Sequence, residues 1–251
     1  FNSSNITLNA PITSSGISTV TINSSGNVID GINGSFVGKI ISTNLLLTGS
    51  GNVNLDSKTN NVSIISAGSN VSRLGSLNFT NSNALVVGSV GSNSGIYTTG
   101  TIAISTLTGD LSVSQNINTQ NTSTTALILN ASQSTAAGVS SGGDLKFSGG
   151  ASITIGANAR AKLYSGSISG STGLTTIAGS GSNRFRYNSD ESNSNYSLSL
   201  GPGIHAIYRE RPSLTIVADD KTVTYGTAPT LTTTVNGLQN GDTAAQTLST
   251  V

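Results

Sequence analysis

Residues 51–65 read Gly51-Asn52-Val53-Asn54-Leu55-Asp56-Ser57-Lys58-Thr59-Asn60-Asn61-Val62-Ser63-Ile64-Ile65, and this stretch predicts the fold of most of the chain. Apolar residues alternate with polar ones on both sides of a polar turn, and a period of two over a short run is typical of half-buried strands. The same pattern recurs, with variations, at residues 26–28, 109–113, 143–147 and 151–155. Because such a unit is too short to bury a core alone, we expect its copies to stack as the rungs of a solenoid.

The spacing of the apolar centres predicts an all-β fold. Up to about residue 163 most centres lie roughly 7 to 12 residues apart, and no 3.6-residue pattern is sustained. An antiparallel sandwich and a right-handed parallel β-helix both fit this spacing. We favour the β-helix because the strands are short, poor in aromatic residues and separated by Gly-Asn or Gly-Asp turns. Residues 90–97 and 116–125 are predicted to be loops that leave the rod.

Composition excludes several classes of protein. Gly, Ser, Thr and Asn make up more than half of the 251 residues, but 35% of residues are hydrophobic and only 8% are charged, which argues against disorder. The net charge of +1, with no basic cluster in residues 1–180, predicts no nucleic-acid partner and no anionic membrane partner. No apolar run approaches the length of a membrane span, and the chain has no cysteine.

The character of the sequence changes near residue 160. Residues 184–221 hold nearly half of the charged residues, and more than half of the aromatic residues lie beyond residue 163. Terminal coils of a solenoid need a cover for their open core. We therefore divide the chain into β-helix repeats at 1–163, a junction or cap at 164–212, and the start of a small, incomplete β domain at 213–251.

Residues in this second half resemble a known family. Residues 161–167, 172–174, 180–191 and 204–212 resemble the junction that follows the β-helix in filamentous-haemagglutinin-like exoproteins of Gram-negative bacteria. The segment from Leu214 to Thr243, with Ala218-Asp219-Asp220-Lys221-Thr222-Val223-Thr224-Tyr225-Gly226 and Gly237-Leu238-Gln239-Asn240-Gly241-Asp242, is similar to the opening half of the mostly beta, glycine-rich (MBG) repeat. The resemblance implies an extracellular or cell-surface adhesin of the two-partner secretion type, exported through an outer-membrane partner.

The sequence departs from that family in two places. The N-terminal secretion module is not visible, and there is no initiator Met or signal peptide. The sequence also stops at Val251, about halfway through a usual MBG repeat. We expect either a piece of a longer polypeptide or a subunit whose last domain is completed by another chain, which would give a filament if copies join head to tail.

Residues that could carry catalysis or bind metal are sparse. The acids of the first part are Asp30, Asp56, Asp110 and Asp144, and their spacing does not force two carboxylates together as a glycosidase requires. We interpret them as turn formers that accept backbone hydrogen bonds. The basic residues there, Lys39, Lys58, Arg73 and Lys146, are scattered and predict no lyase site.

The second part offers little more. His205 is the only histidine, which leaves no histidine-rich metal site, and Asp219-Asp220 is interpreted as a solvated turn paired with Lys221 or Arg211. The sequence therefore predicts no enzyme, no cofactor and no metal.

The cap contains the candidate binding residues. Arg184, Arg186, Asp190 and Glu191 are expected to form exposed ion pairs that orient the cap. Tyr187, Tyr196 and Tyr208 could form a platform on which a glycan stacks, although packing over the last coil is the favoured interpretation.

These observations predict a structural and adhesive surface protein. A β-solenoid stalk would mediate attachment or biofilm-type cohesion, with cell-surface or matrix glycans or proteins, or copies of itself, as partners. Two alternatives remain: a subunit of a self-assembling extracellular filament, and a carbohydrate-active β-helix enzyme such as a depolymerase.

Overall fold

A computed structural model describes residues 1–33, 36–57 and 59–245 of the chain, and their regular secondary structure is almost entirely β. One short helix, α1, spans Leu174–Ala178. The predicted all-β class is confirmed. Lys58 and the last six residues of the predicted C-terminal domain, 246–251, lie outside the described part.

Two long sheets contain most of the strands, and every strand pair within them is parallel. The nine-stranded sheet has the order β2 (Ile6–Leu8), β5 (Val28–Asp30), β9 (Val53–Leu55), β11 (Leu77–Asn81), β16 (Ile102–Thr106), β19 (Leu127–Asn130), β22 (Arg160–Ser165), β24 (Gly203–Tyr208) and β23 (Phe185–Arg186). Parallel neighbours need a crossover between them. The chain makes this crossover by way of the other long sheet.

Up to β22, the eleven-stranded sheet receives the chain between successive visits to the first. Its members are β1 (Asn2–Ser3), β3 (Pro11–Thr13), β4 (Thr19–Ser24), β8 (Lys39–Thr48), β10 (Asn61–Ala67), β12 (Leu85–Val87), β15 (Ile96–Thr98), β17 (Leu111–Val113), β18 (Ile117–Thr119), β20 (Leu145–Phe147) and β21 (Ile153–Thr154). Long parallel sheets built in this alternating way are consistent with a β-helix.

Three antiparallel hairpins complete the strands of the described residues. They are β6 (Ile32–Asn33) with β7 (Phe36–Val37), β13 (Ser89–Val90) with β14 (Asn93–Ser94), and β25 (Thr215–Ala218) with β26 (Thr233–Asn236). Residues 222–225, which lie between β25 and β26, do not form a strand.

The core is a stack of aliphatic columns. In the nine-stranded sheet, strand register places one buried aliphatic residue above another at intervals of 24 or 25 positions, in the series Val28, Val53, Leu77, Ile102 and Leu127. A buried side chain of this size contributes roughly 1.5 to 3 kcal/mol. The alternation of residues 51–55 therefore places Val53 and Leu55 inside and Asn52 and Asn54 outside.

The predicted loops at 90–97 and 116–125 were partly wrong. Residues 96–98 and 117–119 form β15 and β18, which pair with each other, with β10 and with β21. Ile96 and Ile117 are in register and fully buried. Each of these segments is short and flanked by polar residues, so that only its place beside other rungs reveals it as a strand.

The corner between the two sheets contains buried amides. Asn81, at the end of β11, is fully buried; its side chain accepts a hydrogen bond from the Val62 backbone N–H (2.8 Å) and donates to the carbonyls of Val62, Asn83 and Ala84. Asn60 occupies the corner one rung earlier in the same manner. Since buried backbone groups must be paired, these amides complete the turns that the ladder itself leaves open.

The opposite corner is built by glycines. A Cβ on Gly51 would overlap the carbonyl oxygen of Gly26, and one on Gly26 would overlap the carbonyl of Ser4. The backbones of successive rungs approach too closely there for any side chain. This is why the repeated pattern begins with glycine.

The parallel pairing continues past residue 163. β22 pairs with β24 from Arg160 opposite Gly203 to Ser165 opposite Tyr208, and β23 pairs with the other side of β24. The junction segment therefore supplies the last strands of the nine-stranded sheet. Residues before and after residue 164 share one ladder.

One acid lies on the core side of a strand. Asp30 ends β5 in register with the buried Leu8, and its carboxylate accepts a hydrogen bond from the Ser57 N–H (2.6 Å). Burial, with a smaller contribution from the charge of Asp56, raises the pKa of Asp30 from the usual 3.8 to about 6, although the Ser57 hydrogen bond opposes the shift. The Asp30 carboxyl group is therefore more easily protonated in the folded chain than in the unfolded chain.

This raised pKa predicts a pH dependence of stability. The folded state binds more protons than the unfolded state between pH 3.8 and about 6, so the contribution of Asp30 is most favourable below this window and is lost as the pH rises through it. Asp30→Asn should remove the effect and stabilise the chain at pH 7 by about 1 kcal/mol, a figure reduced for the partial exposure of the carboxyl group. Urea unfolding of both chains at pH 4 and pH 7 measures it. An equal gain at both pH values would contradict the assignment.

Candidate functional site

Three stacked aromatic rings lie at the end of the ladder. The Tyr208 ring stacks with both Phe185, at a centroid distance of 6.4 Å, and Tyr187, at 5.8 Å, and the three rings are nearly parallel. Tyr208 is only 1% exposed. Together with Phe185 it belongs to the larger of two clusters of buried apolar side chains, which we call the main core cluster. The stack closes the apolar interior where the rungs end. Because Tyr208 is buried, its ring is not accessible to a ligand.

Tyr187 links this stack to the C-terminal segment. Its hydroxyl donates to the Asp242 carboxylate (2.7 Å) and accepts from the Asn240 side-chain amide (3.1 Å). The Asn240 carbonyl in turn accepts from the Gly181 N–H (3.0 Å). Burial is the main cause that raises the pKa of both Tyr187 and Asp242. The loop at 237–242 is thus fastened to the ladder through polar contacts.

Removal of the Tyr187 hydroxyl should loosen this loop. Tyr187→Phe keeps the ring stack but leaves Asp242 without its donor, so we expect a loss of about 1 kcal/mol in local stability. Amide hydrogen exchange of residues 237–242 should become faster, while exchange in the two long sheets stays unchanged. Tyr225→Phe is the matched control, since the Tyr225 ring is fully exposed. Equal exchange in both variants would contradict the link.

Tyr196 lies on a different surface from Tyr187 and Tyr208. It packs against a second apolar cluster, formed by Tyr164, Leu200 and Ile207, on the outer face of the nine-stranded sheet. The Arg186 guanidinium lies over the Tyr196 ring at 5.4 Å, a cation–π distance. The three predicted tyrosines therefore do not form one platform, because two belong to the ring stack and one covers the outside of the sheet.

The expected exposed ion pairs of the cap are wrong in their partners and in their exposure. Arg186 is buried, and among the described residues neither Arg184 nor Arg186 forms a salt bridge. Asp190 instead accepts from the Ala137 N–H (2.7 Å), and Glu191 from the Ser134 N–H (2.5 Å). These two carboxylates hold the loop that follows β19.

The centre of that arrangement is Arg209, which is 0% exposed. Its guanidinium donates to the carbonyls of Thr135 (2.8 Å) and Ala131 (2.7 Å) and to the Asn130 side chain (2.5 Å), and it lies 3.4 Å from the Glu191 carboxylate. Burial lowers the pKa of Arg209, against the favourable charge of Glu191. One side chain thus fastens three segments that are distant in sequence.

Two of the four acids of the first part are closer together than their spacing suggested. Asp110 and Asp144 lie on adjacent rungs, because the Asp110 carboxylate accepts from the Asp144 N–H (2.9 Å). Asp110 also pairs with Lys146 (2.5 Å), and the Asp144 carboxylate accepts from the Ser167 N–H (2.6 Å). A spacing of 34 residues is one turn of the ladder here. Acceptance of backbone hydrogen bonds, the predicted role of these acids, is confirmed for Asp30, Asp110 and Asp144.

The other predicted polar sites hold no cluster of metal-ligating side chains. Within residues 1–33, 36–57 and 59–245, no three His, Cys, Asp or Glu side chains lie close enough to hold a metal ion. Asp219 accepts hydrogen bonds from the Thr232 and Thr234 hydroxyls instead of pairing with Lys221 or Arg211. His205 lies on β24 with its Nε2 3.0 Å from the Gly201 carbonyl.

A cleft of about 200 Å³ lies between the end of the ladder and the C-terminal segment. Tyr187 and Asn188 line one side, and Leu214, Leu238 and Asp242 the other.

Among the residues that the structure describes, no helix has the length and apolar character that a membrane span requires.

Comparison with known protein families gives a match at the C-terminal end of the chain. The sequence profile of the MBG domain (YGX type) matches residues 214–251, which supports an adhesin-like repeat at this end of the chain. No curated protein and no solved structure matches the sequence. The match begins directly after the last strand of the nine-stranded sheet and its buried Arg209.

Sequence reasoning missed the role of Arg209 and the link from Tyr187 to Asp242. Arg209 follows the apolar run 204–208, and a single arginine directly after a buried strand was the available signal. Its partners Thr135, Ala131 and Asn130 are 74 to 79 positions away, so no local pattern could name them.

Proposed function

We propose that the chain is a structural and adhesive protein of the exterior of a Gram-negative bacterium, similar in kind to filamentous-haemagglutinin-like exoproteins. Its two long sheets are taken to form one right-handed parallel β-helix, because parallel strands joined by crossovers are right-handed in about 98% of cases. The helix serves as a stalk. An outer-membrane secretion partner and glycan or protein receptors at the cell surface or in the matrix complete the proposal.

The observation that carries the proposal is the order of the parts. A parallel ladder closed by an aromatic stack is followed at once by the segment that matches the MBG domain. A ladder of this kind holds its end at a distance from its start, since each rung adds about 4.8 Å. Attachment needs both a spacer and an end that is held in place, and Tyr187 and Asp242 fasten that end.

Adhesion can be tested with the full chain coupled to microspheres. Coated spheres should resist washing from a surface of matrix glycan or of host-cell protein, and spheres coated with albumin should not. Equal retention of both on every glycan and protein surface would contradict an adhesive function. Negative-stain images of the same material should contain slender rods.

A second candidate function is self-assembly into a filament. In the part of the chain that the structure describes, β25 and β26 pair only with each other, and Ile216 and Val217 on β25 are exposed. An unpaired edge is a template for another strand. If copies complete one another, negative stain should show continuous fibres and light scattering should report mass that grows with concentration. Isolated rods at high concentration would contradict the filament.

A carbohydrate-active enzyme has less support. Asp110 is engaged by Lys146 and by a backbone N–H, and Asp144 accepts from Ser167, so neither carboxylate is free to act on a glycosidic bond. We propose that the chain has no catalytic activity and needs no cofactor. New reducing ends or unsaturated products released from polygalacturonate or alginate would contradict this.

A further inference from the structure

Five basic residues lie on one face of the nine-stranded sheet, at its C-terminal end. Strand register places Lys162 beside His205, and continuation of the β23–β24 register places Arg184 on the other side of His205. Arg160 and Arg186 are two positions away along the same strands, and alternation gives them the same side. We call Arg160, Lys162, Arg184, Arg186 and His205 the basic face.

The packing of neighbouring residues confirms which side this is. Ala161, Leu163 and Phe185 belong to the main core cluster, so the residues between and beside them point outward. Ile207 and Tyr164, on the same outer side, pack in the second apolar cluster. The basic face therefore lies outside the apolar interior, next to the patch that Tyr196 covers.

Two contacts bring the charged groups together. The Gly201 carbonyl oxygen lies 3.0 Å from both Arg160 Nε and His205 Nε2, so that these two side chains are neighbours. A Cβ on Gly203 would overlap the Arg184 guanidinium, so Arg184 lies directly on the β24 backbone beside Arg160. Glycine at residue 203 makes the space that Arg184 fills.

Few carboxylates lie near these positive charges. Among the residues that the structure describes, none of the five forms a salt bridge, and Asp242 is the one carboxylate near enough to act on Arg186. Like charges directly opposite on adjacent strands destabilise a sheet. The protein thus holds Arg160, Lys162 and Arg184 together without a salt bridge to any described carboxylate, and Asp242 acts only on Arg186.

His205 adds a second, independent observation. The side chain is 5% exposed, and its Nδ1 atom has no hydrogen-bond partner in the described part of the chain. Because the Gly201 carbonyl can only accept, Nε2 carries the proton and Nδ1 of the neutral ring is an unpaired acceptor. Burial, followed by the charges of Arg186, Arg184 and Arg160, lowers the pKa of His205. An anion bound at the basic face would oppose this shift, because its negative charge favours the protonated imidazole.

We propose that the basic face binds the carboxylate or sulfate group of an acidic polysaccharide. Arg184, half-buried and with no side-chain hydrogen bond among the described residues, presents its guanidinium to the anion, and Arg160 and Lys162 flank it. Guanidinium groups bind carboxylate and sulfate oxygens through paired hydrogen bonds. This inference rests on the proposed adhesive function and gives it a ligand class.

The size of the site favours a polysaccharide over nucleic acid. The charges span three strands, roughly 10 Å at the usual strand spacing. Nucleic-acid binding draws on a long basic stripe that displaces several counterions, and the chain as a whole has a net charge of only +1. One anionic group per sugar, repeated along a chain, suits a short basic site.

The test uses the full chain and follows the resonance of its single histidine. Probes are oligogalacturonate, dextran sulfate, neutral dextran and a single-stranded DNA of similar length. Oligogalacturonate or dextran sulfate should shift the His205 resonance and raise its titration midpoint by at least half a pH unit, whereas neutral dextran should do neither. Arg184→Gln should weaken binding at least tenfold, and Lys221→Gln, which removes an equal charge from an exposed position, should leave it unchanged.

Each other outcome overturns the inference. Equal binding by Arg184→Gln and Lys221→Gln would mean that net charge alone attracts the probe. Tighter binding of the DNA than of either acidic polysaccharide would assign the face to nucleic acid. If no anionic probe binds while coated spheres still adhere to a glycan or protein surface, the inference fails and adhesion stands. If the spheres do not adhere either, the proposed function fails as well.

Discussion

Arg209→Ala is expected to lower the free energy of unfolding by about 3 to 5 kcal/mol, because it strips partners from groups that remain buried. The carbonyls of Ala131 and Thr135 and the Asn130 side chain would lose their donor, and Glu191 would lose its cation. Urea unfolding measures the loss. Hydrogen exchange should rise first in residues 131–138, which Arg209 holds.

Two variants separate the contribution of the guanidinium N–H donors of Arg209 from the contribution of its charge. Arg209→Lys keeps the charge but reaches fewer of the acceptors, and we expect it to recover less than half of the loss. Arg211→Ala removes an exposed arginine two positions away and should change stability by less than 0.5 kcal/mol. If Arg209→Ala proved as mild as Arg211→Ala, the buried network would have no stabilising role.

Asn81→Ala is expected to cause the second large loss and to lower the free energy of unfolding by about 2 to 4 kcal/mol. The variant leaves the Val62 N–H and the carbonyls of Asn83 and Ala84 without partners inside a closed corner. Because each rung contacts mainly its neighbours, the damage should concentrate in the strands β10 and β12 that meet at this corner. Urea unfolding measures the size of the stability loss, and hydrogen exchange shows which strands it affects.

Asn81→Asp and Asn83→Ala are the matched comparisons. Aspartate keeps an acceptor for the Val62 N–H but brings a carboxylate against three carbonyl oxygens, so it should be at least as damaging as alanine. Asn83 is exposed and donates to Asn61 (3.2 Å), so its loss should cost under 0.5 kcal/mol. A harmless Asn81→Asp would show that the donors of Asn81 are dispensable.

The repeating part of the fold could be predicted from alternation alone. Val53 and Leu55 point inward as their spacing requires. Which residues of an alternating run point inward is harder to predict where a strand bends. In β10, Val62 and Ile65 are buried while Ile64 is only half-buried, and their partners Ser42 and Leu45 in β8 are buried with the same change of phase between them. A strict period of two therefore predicts the wrong isoleucine.

The end of the ladder was less predictable, for a physical reason. The contacts that define it join residues of distant segments, as Arg209 joins Asn130 or Tyr187 joins Asp242. Composition indicated a change near residue 160, and the resemblance indicated an MBG-like end. Neither signal could indicate that Arg160 and Lys162 lie beside Arg184 and His205. The two pairs are 20 to 45 positions apart in sequence and belong to three different strands.

The 24- or 25-residue interval between stacked rungs has a mechanical consequence. Backbone hydrogen bonds between rungs point along the stacking direction, so tension applied in that direction strains one layer at a time. Each layer that gives way frees about 80 Å of contour length at 3.3 to 3.6 Å per residue. A tether built in this way would lengthen in discrete steps and dissipate a sudden load before the grip at its far end is broken.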